Sequence, residues 1–344
     1  MRRFQTRANR SGVTLIELLV VATMMLTLAA VSVPAIKPMM ESQLTSNAAS
    51  TLSTYLNRAR ARAMTTGRPC GVTLEYFPGS WDGDVDGYGS VSLVLRQVET
   101  PPFYSGLEAG ACVSILPEND GISPNGRRVR QITNINDSYW NVYVAQESTP
   151  LIQFNGIGSY YPIVFDAGGA YIEKLEGVEL PACSNAPFKV IRNPRQTMTA
   201  PVGLPQGAVV ALEFSGTDET GAFALGHDVT IVFSPSGEVD YVVDGAGKFS
   251  PTGTIYFLVG RWDRISALGV GELESTGEAI TMADDGLWNY EDATNFWVTV
   301  NSRTGLVATT EVNPPVNYAI GDLEGAIFES REFARTSKRN LGGH

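Results

Sequence analysis

The chain has 344 residues, 43% of them hydrophobic and 18% charged, with a formal net charge of −11. This composition excludes wholesale disorder and a multi-span membrane protein, and the acidic balance disfavours binding to phosphate backbones by bulk charge. Only two histidines, His227 and His344, are present, which starves any His-rich metal site or imidazole proton relay.

The N-terminus reads differently from the rest. Residues 1–12 carry Arg2, Arg3, Arg7 and Arg10 and no acid. Removing those four from 25 basic residues leaves 21 against 36 acids, so the remainder stands at −15. From Val13 to Ile36, 18 of 24 residues are apolar and only Glu17 is charged. The uncharged run from Leu18 to Ile36 predicts a helix that crosses a hydrocarbon core at ~1.5 Å per residue. The flanking arginines place the start of the chain in the cytoplasm and its bulk outside.

Three readings of this segment compete. One is a plain signal anchor. The second is a secretory signal peptide with Ala30-Val31-Ser32 as its small-residue cleavage site. The third turns on Glu17, because a carboxylate at the edge of an apolar span is costly and takes a partner. A cut between Gly12 and Val13 would create an α-amine one helical turn away, in the same chain or a neighbouring one.

The stretch Ser11-Gly12-Val13-Thr14-Leu15-Ile16-Glu17-Leu18-Leu19-Val20 resembles the class III signal of type IV pilins and type II secretion pseudopilins. The resemblance implies that a prepilin peptidase cuts after Gly12 and methylates Val13. It also implies that Glu17 neutralises the amine of an adjacent subunit during filament assembly. Val13 stands where that family most often has Phe, and Pro34 falls where it often kinks its helix.

Beyond Pro38 the apolar pattern becomes periodic. Leu44, Ala48, Leu52, Tyr55, Leu56, Ala59 and Ala63 follow three- and four-residue steps, which predicts an amphipathic helix. Gly67 and Pro69 supply the stop. Residues 13–66 are thus expected as one helix kinked near Pro34 and Pro38, transmembrane over 13–36. Its second half has one apolar stripe that must pack on something.

Short apolar runs between turn signals then read as strands: Gly71–Tyr76, Ser90–Val98, Trp140–Ala145, Val209–Phe214, Val229–Phe233, Val239–Val243, Thr254–Val259, Phe296–Val300 and Leu306–Thr310. Residues 314–336 could hold a short helix. The expected class is α+β, a long helix laid on a β-rich head covering 67–344, with inserted loops and strands around 78–225.

The segment Arg58–Pro69 and the strand after it are similar to the helix end and first strand of minor pseudopilin H and FimT-like minor pilins. Ile231–Gly237 and Trp297–Val307 look like strand-turn-strand pieces of the same head. The resemblance implies an inner-membrane, single-pass protein with a periplasmic head, later part of a secretion pseudopilus or pilus-like filament. Its partners would be prepilin peptidase, other pilin or pseudopilin subunits and inner-membrane lipid. A DNA-uptake role of FimT-like kind, through the basic tail Arg331, Arg335, Lys338 and Arg339, is the runner-up. The acidity of the chain argues against nucleic acid.

Other candidate sites are thinner. Asp82, Asp84 and Asp86, followed by Gly87, have the spacing that opens EF-hand calcium loops, but the twelfth position is Leu93 and not a bidentate Glu. A calcium loop and a hairpin of solvated acids both fit, and calcium is the one cofactor left open. Cys70, Cys112 and Cys183 allow one disulfide or none. His227-Asp228 near Ser234 and Ser236 lacks the Gly-x-Ser-x-Gly context of a nucleophile elbow. Gly269-Val-Gly271 lacks the third glycine of a dinucleotide loop. The residues predict no enzyme; a membrane-tethered hydrolase is the least supported alternative.

Overall fold

The computed structural model describes residues 15–78, 90–122, 128–145, 150–156, 160–166, 168–174, 179–218, 221–224, 226–245, 247–265, 287–316 and 323–341. Over 29–39, 117–120, 323 and 337–341 it describes the backbone alone.

A helix runs from Leu15 to Thr66. The backbone stays helical past Pro34 and Pro38. Its second half carries the stripe read from the sequence: Ala48, Leu52, Tyr55, Leu56, Ala59 and Ala63 are all buried. Alanines at every second or third contact let the helix backbone lie close to the sheet below. The end is set by Gly67, whose φ of 66° lies in the left-handed region and whose N–H donates to Ala63 O at 3.0 Å.

The sheet below is antiparallel. Its main path, in spatial order, is Gly247–Phe249, Val239–Asp244, Val229–Phe233, Cys70–Pro78, Ser90–Glu99, Ala208–Thr217, Thr254–Arg261, Phe296–Asn301 and Val307–Glu311. Side chains alternate between its faces. Ile255, Phe257 and Val259 point into the core shared with the N-terminal helix, while Tyr256 and Leu258 point the other way. On that second face they meet Phe214, Trp288, Tyr290 and Trp297, covered by a C-terminal helix, Leu323–Leu341, through Ala326, Ile327 and Ala334. Both faces of the sheet are therefore covered, and its central strand Ala208–Thr217 is buried along its whole length.

Between Ser90–Glu99 and Ala208–Thr217 the chain builds a second sheet with its own core. The order is Cys183–Ala186, Val113–Ile122, Arg128–Thr133, Gly169–Glu173, Tyr161–Asp166, Leu151–Phe154 and Phe188–Ile191. The two ends of this path are consecutive segments joined at Pro187, so the sheet closes on itself. Val113, Ile115, Ile132, Ile152, Ile163, Ile172 and Val190 fill the interior.

Three expectations are corrected. The class is mostly β, with 42% strand against 25% helix, rather than the expected α+β. Among the described residues no helix is long and apolar enough to cross a membrane, which removes support for a transmembrane 13–36 and for a single-pass inner-membrane placement. The run Trp140–Ala145, expected as a strand, begins with a helical turn, Trp140–Tyr143. The C-terminal helix expected within 314–336 is found at Leu323–Leu341.

Candidate assembly interface

The N-terminal helix is two objects in one. From Leu44 onward it belongs to the head. From Leu15 to Leu28 every described side chain is exposed, including Leu15, Ile16, Leu18, Leu19, Met24 and Leu26 at 57–83%. The two hydroxyls of this stretch are satisfied within the helix, Thr23 Oγ1 donating to Val20 O and Thr27 Oγ1 to Met24 O, both at 2.9 Å. Apart from Glu17, what the arm presents is therefore apolar surface, with its hydroxyls bonded within the helix. Monomeric proteins rarely expose contiguous apolar surface of this kind.

Polar contacts one turn wide anchor the helix to the head where the arm ends. Glu41 ion-pairs with Arg261, which also binds Asp263. Thr45 Oγ1 donates to Thr294 O at 2.6 Å. The strand carrying Arg261 is tied in turn to the loop 287–295: Asn289 Oδ1 accepts from Arg261 N–H at 2.8 Å, and Asn289 Nδ2 donates to Arg261 O at 3.0 Å. Gly260 makes this possible, since a Cβ there would stand 2.2 Å from Asn289 Oδ1. The buried pair Arg264–Asp292, at 2.9 Å, holds the same loop.

Further along, Arg60 Nε donates to Gly237 O at 2.9 Å, and Arg62 pairs with Glu99 at 3.1 Å. These arginines tie the helix to the turn at Gly237 and to the end of the strand Ser90–Glu99.

Gly12 and Val13, the expected cleavage and methylation positions, lie outside the described residues, as do Asp82, Asp84 and Asp86 and the fragment Gly269-Val-Gly271. Glu17 stands in the first turn of the helix, where the partial positive charge of the helix start favours an acid. All three cysteines are free. Among the described residues no group of three His, Cys, Asp or Glu side chains could hold a metal ion.

His227 and Asp228 line an open cavity of about 470 Å³ at one end of the sheet, with Tyr76, Asp244 and the turn glycines 245 and 247. Asp228 Oδ1 accepts from Tyr76 N–H at 2.7 Å. Ser234 and Ser236 are not part of that cavity: they bond each other at 2.6 Å, and Ser236 donates to Glu238. The sequence neighbours are not brought together as a triad.

The basic tail is also divided. Arg331 is buried and donates to Phe214 O at 2.7 Å and Gly221 O at 3.2 Å, lying over the rings of Tyr256 and Trp297. Burial lowers its pKa to about 10. Arg335 pairs with Glu332 at 3.6 Å. The patch expected to meet DNA thus loses one of its four cations to the core. Sequence reasoning missed both this role and the Glu41–Arg261 contact.

No family model, no characterised protein and no solved structure matches the chain.

Proposed function

We propose that this protein is a pilin-like structural subunit, cut after Gly12 by a prepilin peptidase and assembled with other subunits into a pseudopilus or pilus-like filament. The observation that carries the proposal is the apolar arm Leu15–Leu28, exposed on all sides, on a helix tied to the head at Glu41 and Thr45. Burying such a surface against like helices is worth ~25 cal/mol per Å² of apolar area, and several helices packed together bury all of it. The order of basic leader, Gly12, apolar run and Glu17 supports the same reading. Glu17 would sit where a neighbour's N-terminal amine could reach it.

The test has two arms. The mass of the mature chain should correspond to a methylated Val13 start. Glu17→Ala should leave the chain cleaved but strongly reduce its incorporation into filaments. Incorporation of Glu17→Ala at the wild-type level, or an intact Met1, would sink the reading.

A further inference from the structure

The inserted barrel carries a patch that the assembly reading does not use. Pro102-Phe103-Tyr104 runs beside the barrel strand Phe188–Ile191, with Tyr104 and Val190 exchanging both backbone hydrogen bonds at 2.8 and 2.7 Å. This seats the Lys189 ammonium 4.4 Å from the centre of the Phe103 ring. Arg192 Nε and Nη2 both donate to Pro102 O, at 3.3 and 3.1 Å, and its guanidinium lies 5.5 Å from the centre of the Tyr143 ring. Tyr143 in turn stacks on Tyr104 at 5.1 Å. Phe103, beside Lys189, stays about half exposed, as do Tyr139 and Val142 on the helical turn that carries Tyr143.

Two features make this more than a surface of mixed residues. Lys189 and Arg192 are held in place by aromatic faces and a carbonyl, so little side-chain freedom remains to be lost on binding. Among the described residues neither makes an ion pair. They are ordered cations without a carboxylate, on a chain whose remainder after the leader stands at −15. Two such chains repel each other unless a local contact of opposite sign offsets the repulsion.

We infer that the patch formed by Phe103, Tyr143, Lys189 and Arg192 is a head-to-head contact that receives an acidic surface of a second copy of this chain. The aromatic rings supply the apolar centre of the contact and the two cations its sign. The inference rests on the assembly reading for its setting, since copies must be brought together for the contact to matter.

The experiment is sedimentation of the full-length chain, with its apolar arm solubilised by mild detergent, across a range of salt concentrations. Wild-type association should depend weakly on salt, because attraction at the patch and repulsion between acidic heads are screened together. Lys189→Glu with Arg192→Glu should weaken association by about tenfold or more at low salt, with recovery as salt screens the like charges. If that variant misfolds by circular dichroism, Lys189→Gln with Arg192→Gln carries the test in the same direction. Association equal to wild type at low salt for the folded variant overturns the contact, as does a wild-type chain that stays monomeric throughout. Leu18→Ala with Leu19→Ala reports separately on the arm. Loss at every salt with the arm variant, alongside a normal patch variant, sustains the arm and overturns the patch. The reverse pattern sustains the patch and overturns the arm.

Discussion

One substitution made in two places on a single helix separates its two halves. Leu56 is fully buried between the helix and the sheet; Leu19, on the same helix, is 57% exposed. Leu56→Ala deletes a side chain whose neighbours are strand residues in regular pairing, so the cavity collapses little. The expected cost is about 3 kcal/mol, within the ~2–5 kcal/mol range for buried leucine truncations. Leu19→Ala removes a side chain that has not left water in the single chain, and Ala is the better helix former, so folding should change by less than ~0.5 kcal/mol. In an assembly that buries the arm, the same truncation should cost ~1–2 kcal/mol per contact at ~25 cal/mol per Å², close to tenfold in association. Urea unfolding followed by fluorescence of Trp288 and Trp297, on the far face of the sheet, reads the first quantity. Sedimentation of the detergent-solubilised chain reads the second. A Leu56→Ala cost below ~1 kcal/mol would refute the account of the helix–sheet core. A folding loss at Leu19 as large as that at Leu56 would refute the account of a free arm.

Other perturbations follow from single contacts. Gly67→Ala should cost about 1 kcal/mol by urea unfolding, from backbone strain alone, because its φ is 66° and nothing stands near the added methyl. Gly71→Ala should cost several times more or abolish folding, because its Cβ would meet Ile231 O at 2.2 Å inside the strand ladder. Arg331→Met should destabilise by about 1–3 kcal/mol, since it strands the Phe214 and Gly221 carbonyls, although it removes a buried charge. Lys248 carries a pH signature: burial lowers its pKa from 10.5 to about 8, against the opposing pull of Asp240. The unfolded chain therefore binds more protons between pH 8 and 10.5, and wild-type stability should rise through that window. In Lys248→Met that rise should be missing, so the stability difference between the two proteins should move in favour of wild type by at most ~3 kcal/mol. Denaturation midpoints at pH 7, 8, 9 and 10 measure it, and a difference that does not change with pH contradicts the burial of the ammonium.

How much of this was legible in the sequence depends on the range of the contact involved. The stripe from Ala48 to Ala63 and the stop at Gly67 are local, and so are strands such as Val229–Phe233, where a short apolar run and flanking turns agree. The closing of Val113–Ile191 into its own barrel is not local: Cys183–Ala186 and Phe188–Ile191 are consecutive in sequence, yet they lie at opposite ends of the sheet's path on either side of Pro187. The Trp140–Tyr143 turn failed for another reason, because a short apolar run has no period long enough to separate strand from helix. The membrane expectation came from the length of an uncharged apolar run behind basic residues, and such a run reads the same whether it meets lipid or protein.

Arg331 shows what a closer reading of period would have found. Charged residues near a chain end are read as solvated by default, and that default placed Arg331 with Arg335, Lys338 and Arg339 in one basic patch. The spacing Ile327, Arg331, Ala334 nevertheless puts the arginine on the buried stripe of its helix. Opposite it, the central strand loses its pairing with Thr254–Arg261 between Ala211 and Gly216. The bulge there needs donors from outside the sheet, and Arg331 supplies one to Phe214 O while Ser215 Oγ accepts from Leu258 N–H and donates to Ala211 O. A guanidinium at a stripe position thus marks a strand whose own partners have been withdrawn; Arg261, at the root of the arm, is a different case, a paired strand residue whose guanidinium meets the carboxylates of Glu41 and Asp263. In both places an arginine ties a helix to the sheet, Arg331 from the C-terminal helix and Arg261 from the sheet to Glu41 of the N-terminal helix.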